Sequence, residues 1–385
     1  MTPRVPQILV LDGGLGTTLE DTFHRDISTP LWSTRPIDHE PDVIVDAHLA
    51  FLRSGARIVS TATYQSAFST FELSGITRAD AVRVMRKAVA LARTAKERFL
   101  AERSDVASGD VQIALSLGPY GAMDGMHEFD GIYAPPYGPA PGAFGPRNYF
   151  LPGEDEQRAR SVDALETFYL ERLRVYAEDD ETWRAVDWIA FETVPLTREV
   201  VAIRRAMRAL EKELAVRYPG GSWKKRWWIS AVFPFGSYPE KTPDGGTVSA
   251  GDVASAVLGR DEGDSLPVPD GIGVNCTGVR YLSQILADIE KTVMGFGDTR
   301  PWLLLYPNGR EWDVATESWV AIASGEDGEA DAWASALVDV VAPHVARGDV
   351  WGGLIVGGCC KSGPKEIAAL ARVVETRGYV KATRL

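Results

Sequence analysis

Short, nearly continuous apolar runs alternate along this chain with longer segments whose apolar residues recur at helical spacing. The runs are QILVLD (7–12), RIVSTATY (57–64), VQIALSLG (111–118), DWIAFET (187–193), WWISAVF (227–233), GIGVNC (271–276), WLLLYPN (302–308) and WGGLIVGG (351–358). Most are rich in β-branched or aromatic residues. Strands buried on both faces of a parallel sheet read this way. Between them, RADAVRVMRKAVALARTAKERFLAE (78–102) carries apolar residues on one helical face and basic residues on the other. The stretches 161–179, 196–214, 281–294 and 330–347 behave alike, and 40–55 supplies the helix after the first strand. Strand-like runs alternating with helices predict an α/β fold, a (β/α)8 TIM barrel. A doubly wound open sheet is the second arrangement compatible with the pattern.

No clean linker interrupts this alternation, so residues 1–385 read as a single barrel domain. The segment 119–157 is rich in Gly, Pro and Tyr and too long for a plain connection. It predicts a long loop insertion after the third strand, folded over a site. The stretches 234–250 and 259–270 also read as loops. In a barrel, the loops after the strands gather at the end where chemistry takes place.

Composition narrows the function classes. The chain is 45% hydrophobic and 24% charged, with a net charge of −12. A nucleic-acid partner is not expected, because phosphate binding relies on clustered Lys and Arg. No membrane partner is expected either, since no run approaches the roughly eighteen apolar residues of a spanning helix. The N-terminal apolar stretch is too short for a signal peptide. There are three cysteines, two of them adjacent. That pattern argues against a disulfide framework and for a reducing compartment, the cytoplasm.

Those cysteines carry the candidate chemistry. Cys276 ends the sixth run, and Cys359 and Cys360 end the eighth. In a barrel both positions face the C-terminal mouth, with only one strand between them. Three converging thiolates with one open coordination place form a catalytic zinc pattern. On spacing alone, three small buried apolar residues is an equal alternative. Such a metal site is electron-rich and a poor Lewis acid for carbonyls. It suits the binding of another thiol as thiolate, whose natural partner is a methyl group on a positively charged onium centre.

The ordered set DGGLGTTLE (12–20), TATYQSA (61–67), SLGPYGA (116–122), FETVP (191–195), GVNCTG (273–278), YPN (306–308) and GGCC (357–360) resembles the homocysteine S-methyltransferase family. The resemblance spans nearly the whole chain. It implies a zinc-dependent barrel in which Cys276, Cys359 and Cys360 hold Zn2+ and homocysteine sulfur takes the open place. It further implies that Asp12 and Glu192 hold the substrate amino group and that Gly13 and Gly14 form a turn close to the amino acid. Tyr64 matches a tyrosine that approaches the metal. Asn275 and Asn308 either bind the substrate carboxylate or brace the zinc loop. The chain departs from the family pattern at Ala62, at Lys361-Ser362-Gly363 and in YPNGRE (306–311). The segment 116–133 is similar to the branch using S-methylmethionine or S-adenosylmethionine. The implied reaction is methyl transfer from a sulfonium donor to homocysteine, giving methionine. Methylation of another thiol or selenol such as selenocysteine, or a non-catalytic zinc- or thiol-binding module, are the alternatives. The expected partners are these small molecules, with the chain a monomer or homodimer.

Overall fold

The computed structural model describes residues 8–28, 31, 34–123, 127–142, 145–221, 223–260, 266–297, 299–322 and 328–379. Parts of the predicted loops 119–157 and 259–270 therefore lie outside the described residues. All eight apolar runs form strands: β1 Ile8–Val10, β2 Ile58–Ser60, β3 Gln112–Leu117, β4 Trp188–Val194, β5 Arg226–Val232, β6 Gly271–Asn275, β7 Trp302–Tyr306 and, last in the chain, β10 Gly353–Val356. They pair in parallel in the order β1-β10-β7-β6-β5-β4-β3-β2. A parallel bridge between Leu11 and Ile58 joins the two ends of this order. Arg57 N–H donates to Val10 O at 2.7 Å and Asp12 N–H to Ile58 O at 3.0 Å. The sheet thus closes on itself as a (β/α)8 barrel, and the open-sheet alternative falls.

Both faces of each strand are buried, for different reasons. In β4, Trp188 and Ala190 point into the barrel interior with Leu11, Ile58, Ala114, Trp228, Leu304 and Ile355. Ile189 and Phe191 face the helices, among Tyr169, Val200, Ile203 and Met207. A strand with no solvent face has no reason to alternate in polarity, which explains the continuous runs. The interior is filled chiefly by indoles. Trp188 lies 5.5 Å from Trp228 and 5.7 Å from Trp302 between ring centroids. Space for one of them comes from Gly353, where a Cβ would stand 2.6 Å from the Trp302 ring.

The inward face changes character along each strand. Two residues beyond Ile58, Ala114, Ala190, Trp228 and Leu304 stand Ser60, Ser116, Glu192, Ser230 and Tyr306. Because side chains alternate with period two, these share the inward face one layer nearer the C-terminal mouth. Packing below and polar groups above put the site at that mouth.

The helices follow their amphipathic segments, with Arg78–Glu102, Asp155–Ala177, Thr197–Arg217, Leu282–Gly295 and Glu329–Arg347 on the outside. The Thr77 hydroxyl caps the first of these, accepting from Asp80 N–H. Some elements were not anticipated. Helix Ala250–Leu258 begins at a capping box in which Ser249 and Asp252 bond reciprocally. After β7, an antiparallel hairpin of β8 Glu311–Asp313 and β9 Ser318–Val320 sets Trp312 against Trp319. No helix among the described residues is long and apolar enough to cross a membrane.

The insertion after β3 is ordered by polar anchors. Glu199 accepts from Tyr120 N–H and from the hydroxyls of Tyr133 and Tyr169, each at 2.8 Å. Asn148 donates to Asp130 O and Pro239 O and accepts from Lys241 N–H, tying the insertion to the loop after β5. Arg172, fully buried, donates to the carbonyls of Ser66, Gly118 and Tyr64. It holds the loops after β2 and β3 together.

Candidate active site

Cys276, Cys359 and Cys360 converge at the mouth, with their Sγ atoms within 4.8 Å of one another. Cys276 follows β6 in a left-handed conformation, φ 47°. The loop after β10 is laced to its neighbours through backbone hydrogen bonds. Gly358 N–H donates to Asp12 O, Cys359 N–H to Pro307 O, and Gly309 N–H to Cys360 O. Gly14 N–H donates to Ser362 O at 2.9 Å. A Cβ on Gly13 would strike the Ser362 carbonyl, and one on Gly14 the Cys359 carbonyl. These two glycines therefore let the first loop lie directly against the cysteine loop.

The sulfurs of Cys276 and Cys359 lie close enough to pair as a disulfide, with Cα atoms 5.5 Å apart, while Cys360 is free. The hydrogen-bonded loops place these residues, 83 apart in sequence, side by side. A disulfide sulfur carries no charge for a cation, so this pairing and metal binding are exclusive uses of the same atoms. In the reduced form the donor set fits a soft divalent cation. Three thiol sulfurs converge, and no fourth His, Cys, Asp or Glu among the described residues joins them. Burial pushes the Cys360 thiol up to about 12, with the nearby Glu128 charge adding to the effect. A cation among the sulfurs is what would reverse that.

A cavity of about 90 Å³ lies over the sulfurs. It is lined by all three cysteines and by Asp12, Gly13, Gly14, Tyr64, Glu192 and Asn275, so every residue singled out in the sequence except Asn308 reaches it. Asp12 accepts from Ser60 N–H at 2.6 Å and from its hydroxyl at 3.0 Å. Burial nevertheless lifts its carboxyl to about 7. Glu192 accepts from the Ser116 hydroxyl at 3.1 Å. Burial, together with the nearby Asp12, lifts it to about 8. Two acids held close with few donors are poised for a cation.

Glu192 and Thr193 lie where the pairing register of β4 with β5 shifts. Thr193 adopts φ 60°, a strained conformation for a β-branched residue. The Asn275 amide holds it there, accepting from Thr193 N–H at 2.8 Å and donating to its hydroxyl at 2.7 Å. Asn275 is thus engaged by protein on the β4 side. Asn308 sits behind the site, its N–H on Thr277 O and its carbonyl accepting from the Trp333 indole.

The sequence reading missed Glu128. Its carboxylate accepts from the Tyr64 hydroxyl and lines the cavity beside Cys360. Burial raises both groups, Tyr64 strongly and with Glu128 contributing. No aromatic of 119–149 lines this cavity among the described residues. Phe129 and Tyr149 instead line a second cavity of about 820 Å³, between the insertion and the loop after β5.

Fold and site together define a (β/α)8-barrel enzyme with a three-cysteine centre at its mouth. The homocysteine S-methyltransferase family model matches residues 9–374, so the chain belongs to the homocysteine S-methyltransferase family and is a methyltransferase. A homocysteine S-methyltransferase of Zea mays is 30% identical over 375 residues, covering 95% of this chain and 89% of that protein. A selenocysteine Se-methyltransferase of Brassica oleracea is 27% identical, covering 96% and 89%. The homocysteine methyltransferase MmuM of Escherichia coli in its metallated form superposes with a TM-score of 0.62 at 25% identity, over 95% of this chain and 96% of that one. That protein has also been solved in an oxidized form.

Proposed function

We propose that this protein transfers a methyl group from a sulfonium donor, S-methylmethionine first and S-adenosylmethionine second, to the thiol of homocysteine, forming methionine. The observation that carries the reading is the juxtaposition of three converging cysteine sulfurs with two buried, cation-poor carboxylates in one cavity. Reduced Cys276, Cys359 and Cys360 would hold zinc, which when bound supplies the positive charge that keeps a substrate thiol deprotonated at neutral pH. Asp12 and Glu192 take the substrate ammonium, whose charge draws both carboxyls into their ionised form. Asn275 holds the strained Thr193 beside Cys276, fixing the backbone around that sulfur. Gly13 and Gly14 bring the first loop against the cysteine loop. The walls of the cavity orient the acceptor sulfur toward the donor methyl, and orientation is the main contribution left to the protein in a direct displacement. No general base is required once the thiol proton has left to solvent.

The test is to incubate reduced, zinc-loaded protein with homocysteine and, separately, S-methylmethionine, S-adenosylmethionine and betaine, and to measure methionine. Activity with a sulfonium donor is expected. Loss of a binding partner behind a metal ligand costs about 10–100-fold, so Cys359→Ser, which removes a ligand, should cost more than about 100-fold and lower the zinc content. Silence with every donor at one zinc per chain would refute the assignment and favour a non-catalytic thiol-binding module. Selenocysteine is the second acceptor to try, because a relative bears that activity in its name. The ratio of kcat/KM for the two acceptors decides between them.

A further inference from the structure

The cavity over the cysteines is lined by three carboxylates, Asp12, Glu192 and Glu128, and by no Lys, Arg or His among the described residues. One ammonium group accounts for Asp12 and Glu192, which come from the ends of β1 and β4 and interact with each other in the cavity. Glu128 is left over. It comes from the insertion rather than from a strand end, and among the described residues it accepts from the neutral Tyr64 hydroxyl. A half-buried carboxylate beside an electron-rich sulfur cluster is unfavourable unless a positive charge arrives. Its neighbour in sequence, Phe129, faces the larger cavity of about 820 Å³. Glu128 therefore stands on the side of the sulfurs from which the insertion and that larger cavity approach.

We infer that Glu128 is a specificity-determining residue for the methyl donor, its carboxylate holding the positive sulfur of a sulfonium next to the cysteine centre. The inference rests on the methyl-transfer reading above and assigns the donor side of the same site. In the transfer, the donor S–CH3 bond breaks and its electron pair returns to the donor sulfur. The acceptor thiolate pair forms the new S–CH3 bond. The donor enters as a cation and leaves as a neutral thioether, so attraction to Glu128 is strongest before the reaction and fades through the transition state. An interaction of that kind acts on donor binding, not on the chemical step. The Tyr64 hydroxyl positions the carboxylate.

Glu128→Gln keeps the shape and the hydrogen bond to Tyr64 and removes only the charge. Loss of one charge contact at close range is expected to raise the KM for S-methylmethionine by about tenfold or more, with the loss falling on KM rather than kcat and the homocysteine KM little changed. Glu128→Asp should recover part of the donor affinity. A second readout is independent of turnover: calorimetric titration of the reduced, metal-free protein with S-methylmethionine, in which Glu128→Gln weakens Kd by a similar factor while Glu192→Gln serves as the acceptor-side control. A rise in homocysteine KM, or a fall in kcat or zinc content with donor KM unchanged, would overturn the assignment. If the wild type forms no methionine from any sulfonium, the methyl-transfer reading fails. Glu128-dependent sulfonium binding in the calorimeter would then still support the donor-site inference, and absence of such binding would sink both.

Discussion

Two sets of buried carboxylates share this molecule and are treated in opposite ways. Glu199, on the helix Thr197–Arg217, accepts from one backbone N–H and two tyrosine hydroxyls, and the nearby Arg198 favours its charge. At the mouth, Glu192 accepts from the Ser116 hydroxyl, and Asp12 from the N–H and hydroxyl of Ser60. Neither has a cationic side chain beside it among the described residues. Burial is nearly complete in both places, so the difference lies in the partners supplied. Where the protein supplies several donors to a buried acid, the acid fastens structure, here the insertion to the barrel wall. Where it supplies few, the acid is left for something that arrives from solution.

That contrast can be broken most severely through pH. The Asp12 carboxyl rises from 3.8 to about 7 and that of Glu192 from 4.5 to about 8. A carboxyl raised in the folded state binds more protons folded than unfolded. Its contribution is fully present below the unfolded value near 4 and is lost as pH rises through 7 to 8. The reduced, metal-free and ligand-free protein should therefore lose stability across that window, by about 4 kcal/mol for a shift of Asp12's size. Denaturant titrations at about pH 4 and pH 8 on the wild type and on a variant carrying Asp12→Asn and Glu192→Gln measure it. An equal slope in the two proteins would show that these acids are not the strained ones.

The converse test removes the satisfied acid. Glu199→Ala leaves three buried donors unpaired and should destabilise the fold by about 3 kcal/mol. The released insertion should become an early site of proteolytic cleavage. Unchanged stability would mean that the three donors find other acceptors. Smallest of all, Tyr133→Phe deletes one hydrogen bond to Glu199 and leaves the other two. Its expected cost is about 1 kcal/mol in chemical denaturation.

Much of this was legible before folding. The apolar runs marked all eight strands because a barrel strand is covered on both faces. The step from Ala190 to Glu192, two residues further along one face, placed polarity at the mouth. The three cysteines at the ends of β6 and β10 marked a centre. Even helix Ala250–Leu258 carried its signal, the Ser249–Asp252 capping box, although the reading assigned no element between the loops 234–250 and 259–270. The hairpin of β8 and β9 was harder, since its two tryptophans gain meaning only when they face each other.

Sequence by itself determined the period of burial, the strand ends and the residues that end on them, because those follow from local spacing and side-chain chemistry. Tertiary structure alone decided how each polar group is satisfied. Tyr64 meets Glu128 across 64 positions and Cys276 meets Cys359 across 83. Gly14 meets Ser362 only because the barrel closes β1 against β10. Whether a buried carboxylate is an anchor or a vacancy for a cation depends on desolvation weighed against donors brought from distant strands, and no local pattern encodes that balance.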